Sequence, residues 1–180
     1  AALFADKVDA AASKDEVFEF MLERLRAYYH DRKVPVDVFD AVSALKPSRP
    51  LDFDKRIIAV TAFRSLPEAE SLSAANKRVG NILKKAEPGD AAVVNAGLFE
   101  LQQEETLYNE LEILKSKTEP MFDSGDYETA LRDLSALRKP VDDFFDHVMV
   151  MTDNIDVRNN RIALLSKMST LFMRAADLSR

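Results

Sequence analysis

Helix-breaking residues cluster at a few points of this chain, and that spacing restricts the fold more than any other feature. The breaks fall at Pro35, Pro47 and Pro50, Pro67, Pro88-Gly89, Gly97, Pro120, Gly125 and Pro140. Between them the apolar residues recur with helical period. In DEVFEFMLERLRAYYHDR, Val17, Met21, Leu25 and Tyr28 share one face, with Phe18, Leu22 and Tyr29 beside it. In RNNRIALLSKMSTLFMRAADL, Ile162, Leu165, Met168, Phe172 and Ala176 repeat the pattern. Alternation with period two is confined to the short stretches VVNAGLF and DHVMVMT. The spacing predicts an all-α fold, a bundle of roughly six to eight helices packed on amphipathic stripes. Helices are expected over 14–32, 36–45, 52–65, 68–86, 97–119, 126–138, 140–151 and 157–178, with Asp156 capping the last and Pro88-Gly89 ending the fourth.

A chain of 180 residues suits one domain, or one domain with a helical arm. A domain of this size buries about 70% of its unfolded surface, enough to stand without a disulfide or metal staple. Cysteine is absent, which excludes disulfides and thiolate chemistry and fits a reducing, cytoplasmic setting. The two histidines, His30 and His147, are too far apart to suggest a His-rich metal site. No run approaches 18 apolar residues, so no membrane span is expected. The opening AALFADKVDAAASKDE lacks the basic-then-apolar order of a secretory signal and an initiator Met, as a fragment of a longer chain would. Residues 1–45 are expected to be an arm leading from an upstream body, and 46–180 the bundle.

Charge is unevenly placed. The formal net charge is −6. Residues 1–45 carry 6 basic and 9 acidic groups, residues 46–86 carry 9 and 4, residues 87–156 carry 5 and 17, and residues 157–180 carry 5 and 1. Two basic blocks thus flank a strongly acidic one. Opposite charges pairing between helices would account for this. So would a footprint for nucleic acid, since clustered Lys and Arg release counterions from phosphates whatever the base sequence.

SLSAANKRVGNILKKA, residues 71–86, contains no carboxylate. On a helix, Ala75, Val79, Ile82, Leu83 and Ala86 form the inner stripe, and Lys77, Asn81 and Lys84 share an outer face with Arg78 and Lys85 adjoining. Lys84 and Lys85 near a helix C-terminus gain from the dipole, but Lys77, Arg78 and Asn81 lie mid-helix and do not. RNNR, Arg158, Asn159, Asn160 and Arg161, opens the last helix, where cations oppose the dipole by about 0.3–1 kcal/mol. Asp153 and Asp156 could neutralise them; alternatively the planar donors suit phosphates and base edges. LKPSRPLDFDKR presents Lys46 and Arg49 on a proline-stiffened loop, followed by Lys55 and Arg56. Phe53, Tyr108 and Tyr127 are the aromatics considered for stacking on unpaired bases.

Other patterns carry less. SKMS, Ser166 to Ser169, is similar to the ATP-binding loop of class I synthetases but sits inside a regular amphipathic pattern, with Met168 on the inner stripe. Asp142, Asp143 and Asp146 with His147 would suit a metal, but Asp142 and Asp146 read as a solvated helix face. Glycine-rich phosphate loops, nucleophile elbows and zinc spacings are lacking, so no catalytic residue and no metal ligand is expected.

Two long stretches resemble a known family. DVFDAVSALKPSRPLDFDKRIIAVTAFRSLPEAESLSAANKRVGNILKKA and ALRDLSALRKPVDDFFDHVMVMTDNIDVRNNRIALLSKMSTLFMRAADLS are similar to the C-terminal part of bacterial glycyl-tRNA synthetase β subunits. The resemblance runs from about Phe18 to Ser179 and is weakest between Glu87 and Lys117. It implies a DALR-type anticodon-binding domain, all-α and shared with arginyl-tRNA synthetase. It also implies a glycine–tRNA ligase in which a separate α subunit uses ATP and Mg²⁺ to charge tRNA. This fragment would then bind glycine tRNA at its anticodon arm, with no cofactor of its own and no DNA or membrane partner.

On this reading Lys46, Arg49, Lys77, Arg78 and Lys84 hold phosphates, while Asn81, Arg158, Asn159, Asn160 and Arg161 lie nearer the bases. Five phosphate contacts imply a salt slope of about −3.5 to −4.5 in log affinity. Two other answers stay open: a protein-interaction module docking another synthetase subunit, and an arginyl-type synthetase tail.

Overall fold

The computed structural model describes residues 10–86 and 93–180, with side chains from Glu16 onward. Eight α-helices follow one another among the described residues: α1 (Ala10–Asp31), α2 (Val36–Ser43), α3 (Pro50–Arg64), α4 (Ala69–Leu83), α5 (Gln102–Ser124), α6 (Tyr127–Leu134), α7 (Arg138–His147) and α8 (Ile155–Met173). Short 3-10 turns at Ala96–Leu98 and Ser135–Leu137 complete the order, and no strand occurs among the described residues. The expected all-α bundle is what forms. α4 ends at Leu83, with turn residues 84–85 after it, three residues short of the expected end at 86 and before the expected stop at Pro88-Gly89, which itself lies outside the described residues.

The core runs along α8. Ile162, Leu165, Met168, Phe172 and Ala176 are all buried, so this stripe was read correctly. They meet Leu107, Leu111 and Phe122 of α5, Leu131 and Leu134 of α6, Phe144 of α7 and Phe63 of α3 in one cluster. Burying each such side chain contributes about 1.5–3 kcal/mol. α5 and α8 run side by side in the same direction, since Arg161 meets Glu104, Lys167 meets Glu112 and Arg174 meets Asp123.

Several helix ends fall short of or beyond the expected ranges, and three of them have identifiable reasons. α5 begins at Gln102 because Glu104 turns back to accept the N–H groups of Glu100 and Leu101. It continues past exposed Pro120 and stops at Gly125, whose φ of 75° is the left-handed conformation that glycine adopts without strain. α8 is capped by Asn154, which accepts from the N–H groups of Asp156 and Val157; Asp156 lies in the first turn instead. The last residues turn back, and Asp177 donates its N–H to the Ala41 carbonyl.

α1 differs most. Val17, Met21 and Tyr28, expected on its inner face, are exposed, and its buried contact is Tyr29, stacked on Phe53 and bonded to Asp54. Burial and the Asp54 hydrogen bond push the Tyr29 hydroxyl pKa up. α2, by contrast, gives Val38, Phe39, Ala41 and Val42 to the common core.

Candidate nucleic-acid interface

α4 is the helix of the carboxylate-free stretch. Its inner side buries Leu72, Ala75, Asn76 and Val79. Lys77, Arg78, Asn81, Lys84 and Lys85 are all exposed. Among the described residues, neither its cations Lys77 and Arg78 nor Lys84 and Lys85 just past its end have a carboxylate oxygen within 4.0 Å. The Arg78 guanidinium instead lies over the Phe145 ring on α7, 4.2 Å from its centroid. Two turns earlier, Ser71 donates to Asp142 of the same helix at 2.6 Å. Gly80 lies against Ser179 of the returning C-terminal segment.

RNNR behaves differently along its length, and part of the expectation is corrected. Arg161 is 3% exposed and Asn160 4%. Arg161 donates from Nε to Glu104 Oε1 at 2.9 Å, from Nη2 to Glu104 Oε2 and Glu100 Oε2, and from Nη1 to the Met149 carbonyl at 3.1 Å. The paired carboxylates, Glu104 above all, raise its pKa further despite burial. Asn160 clasps the backbone of Asn95, accepting its N–H at 2.7 Å and donating to its carbonyl at 3.0 Å. Both side chains are used up inside the fold and cannot reach a base. Arg158 and Asn159 are half-buried, and the Asn159 Oδ1 is buried with no hydrogen-bond partner among the described residues.

Lys46 and Arg49 are exposed on their loop, Lys46 with a positive φ of 49°. They sit apart from RNNR. Arg49 precedes Asp52, whose partner Arg56 donates to the carbonyls of Arg174 and Ala175 at the far end of α8. From Arg161 to Arg174 the helix rises about 20 Å. The ten expected residues therefore occupy three places: the loop at the C-terminal end of α8, the outer face of α4, and the N-terminal turn of α8, half of which faces inward.

The other candidates are structural. Arg56 is tied to Asp52, Tyr127 and two carbonyls, which leaves nothing for phosphate. Phe53 and Tyr127 belong to the core; Tyr108 packs against it beside Phe99. Burial works to raise the Asp52 pKa, but hydrogen bonds from Tyr127 and Arg56 outweigh it and hold the carboxyl below its usual range. Among the described residues no three His, Asp or Glu side chains are grouped to hold a metal ion, and no helix is long and apolar enough to cross a membrane. SKMS does not fit a nucleotide loop, because it lies in mid-helix with Met168 buried and Lys167 paired to Glu112. The sequence carries no local signal for Phe145, the second residue of the Phe144–Phe145 pair.

Fold and surface together define an all-α module that presents a cationic helix face. A family model described as the DALR anticodon binding domain matches residues 72–178. The chain belongs to the DALR anticodon-binding domain family. It is 48% identical over 177 residues to the glycine–tRNA ligase beta subunit of Aliivibrio fischeri (strain MJ11), covering 98% of this chain and 26% of that protein. The corresponding protein of Marinobacter nauticus is 50% identical over 165 residues, covering 91% of this chain and 24% of its own length. That of Salmonella typhi is 47% identical over 177 residues, with 98% and 26% covered. The chain thus spans about a quarter of the length of the curated relatives it matches.

Proposed function

We propose that this chain is the tRNA-binding part of a glycine–tRNA ligase β subunit, gripping the anticodon stem–loop with the outer face of α4. The observation that carries the reading is a run of four exposed cations, Lys77 and Arg78 on α4 and Lys84 and Lys85 just past its end, with no carboxylate partner among the described residues, while Arg56 on α3 and Lys167 on α8 are paired. Unneutralised Lys and Arg on a rigid helix are what a phosphate backbone binds. Lys77 and Lys84 hold phosphates, with Arg78 and Asn81 beside them. Lys46 and Arg49 extend the contact along the arm, and Arg158 and Asn159 supply what RNNR contributes. α1 serves as the arm toward the rest of a longer polypeptide. Glycylation, with its ATP and Mg²⁺, belongs to the separate α subunit in the cytoplasm; this chain selects the tRNA.

A filter-binding titration of the 180-residue chain with glycine tRNA, an anticodon-swapped glycine tRNA and arginine tRNA tests this. The glycine tRNA is expected to bind most tightly and the swapped tRNA at least tenfold more weakly. Binding of none of the three would leave a protein-docking module, and preference for arginine tRNA would leave an arginyl-type tail.

A further inference from the structure

We infer that Arg78 and Phe145 form a stacking platform for an unpaired nucleobase, so that Arg78 reads the presence of a loop and does not simply neutralise a phosphate. The inference rests on the RNA reading of α4 and assigns one part of that face a different chemistry. Among the described residues, three cation–aromatic pairs lie wholly within the family-matched region: Arg78 on Phe145, Lys167 on Tyr108 and Arg174 on Phe122. Lys167 is paired to Glu112 and Arg174 to Asp123, so each charge is already satisfied inside the protein. Arg78 has no such partner among the described residues, and its side chain is exposed. Its guanidinium carbon lies over the ring, 4.2 Å from the centroid, and that contact restrains the group before any ligand arrives. Arg78 stays exposed where it lies on the ring, and unpaired bases stack on arginine planes as they do on aromatic rings.

The acidic groups nearby do not cancel it. Asp142 is engaged by Ser71 and Arg138, and Asp143 by Lys139. Asp146, exposed and next to Phe145 in sequence, has no cation within 4.0 Å among the described residues and is the one carboxylate of this helix left to oppose RNA. Phe145 itself is half-buried and packs against the core, so the platform is anchored in the bundle. Lys77, Asn81 and Lys84 on the same exposed side of α4 would meet the backbone of the loop whose base lies on Arg78.

Arg78→Lys keeps the charge and removes the plane. The probes are a 17-nucleotide hairpin carrying a glycine anticodon loop, with 2-aminopurine placed at successive loop positions, and a blunt duplex with the same number of phosphates. In Arg78→Lys, hairpin affinity is expected to fall about tenfold, within the five- to hundredfold range that one stacked base contributes. Duplex affinity stays unchanged, and the fluorescence quenching seen at one loop position with wild type disappears. Phe145→Leu gives the same pattern if the ring is what holds the plane, and the surface variant Arg78→Lys decides the matter should Phe145→Leu unfold. Wild-type-like hairpin binding by Arg78→Lys overturns the platform, as does equal loss on hairpin and duplex. The RNA reading then survives, because Lys77 and Lys84 still bind. Failure of wild type to bind either RNA overturns both readings, so the two failures are distinguishable.

Discussion

The basic stretch on α4 and the RNNR turn of α8 look alike as sequence and end up opposite in use. Both combine two or more cations with asparagine at helical spacing. On α4 the cations stay exposed and without carboxylate partners among the described residues. On α8 the second arginine is buried against a fully buried Glu104, and the second asparagine fixes the backbone of Asn95. The difference lies in what each helix packs against. α8 is central and meets α5, whose Glu104 also closes the start of its own helix; α4 lies at the margin and gives only one side to the core. A cation's neighbours three and four residues away do not reveal whether a carboxylate about sixty residues distant will meet it.

This contrast is broken most sharply at Arg161. Replacing it by Ala strands Glu104 in the core, and breaking a buried pair of this kind costs about 3–5 kcal/mol. Urea unfolding should show that loss, and tRNA affinity measured on the remaining folded fraction should stay near wild type. A variant that keeps its stability but loses RNA would return Arg161 to the interface.

Next in size is Lys77→Gln with Arg78→Gln on α4. Thermal unfolding is expected within about 0.5 kcal/mol of wild type, as for surface substitutions generally. Glycine tRNA affinity should drop by an order of magnitude or more. Each phosphate contact removed flattens the salt slope by about 0.7–0.9. A change near 1.5 therefore means that both residues meet phosphates, and a change near half of that means that Lys77 alone does, as the platform on Arg78 requires.

The smallest effect concerns acid. Asp52 has a folded pKa below its unfolded value, so its contribution is present above the unfolded pKa, about 3.9, and is lost as pH falls through the folded one. Wild-type stability should hold above about pH 4 and decline below it, and Asp52→Asn should flatten that decline. An identical acid profile in Asp52→Asn would show that the Tyr127–Asp52–Arg56 network contributes nothing to the linkage. RNA binding at neutral pH is expected to be unaffected, which separates this network from the face on α4.

The helices and most of their ends were legible because periodicity and breakers act locally. Ile162, Leu165, Met168 and Phe172 announced the α8 stripe without reference to any other segment. The same reasoning held only in part on α1, where Val17, Met21 and Tyr28 follow the helical period yet face outward, while Leu22, Leu25 and Tyr29 pack against the bundle. Phe53 and Tyr127 were weighed as stackers because an aromatic residue alone does not say which side it faces. Phe145 went unnoticed because its role depends on an arginine sixty-seven residues away.

By itself, the sequence determined the all-helical architecture, the inner stripes of α4 and α8, and the concentration of positive charge in two blocks, all of which are properties of residues within a few turns of each other. Tertiary structure alone decided which positive charges remain available. Burial of a guanidinium requires carboxylates and carbonyls brought from distant segments, and those partners exist for Arg161 and Arg56 and, among the described residues, not for Lys77 or Arg78.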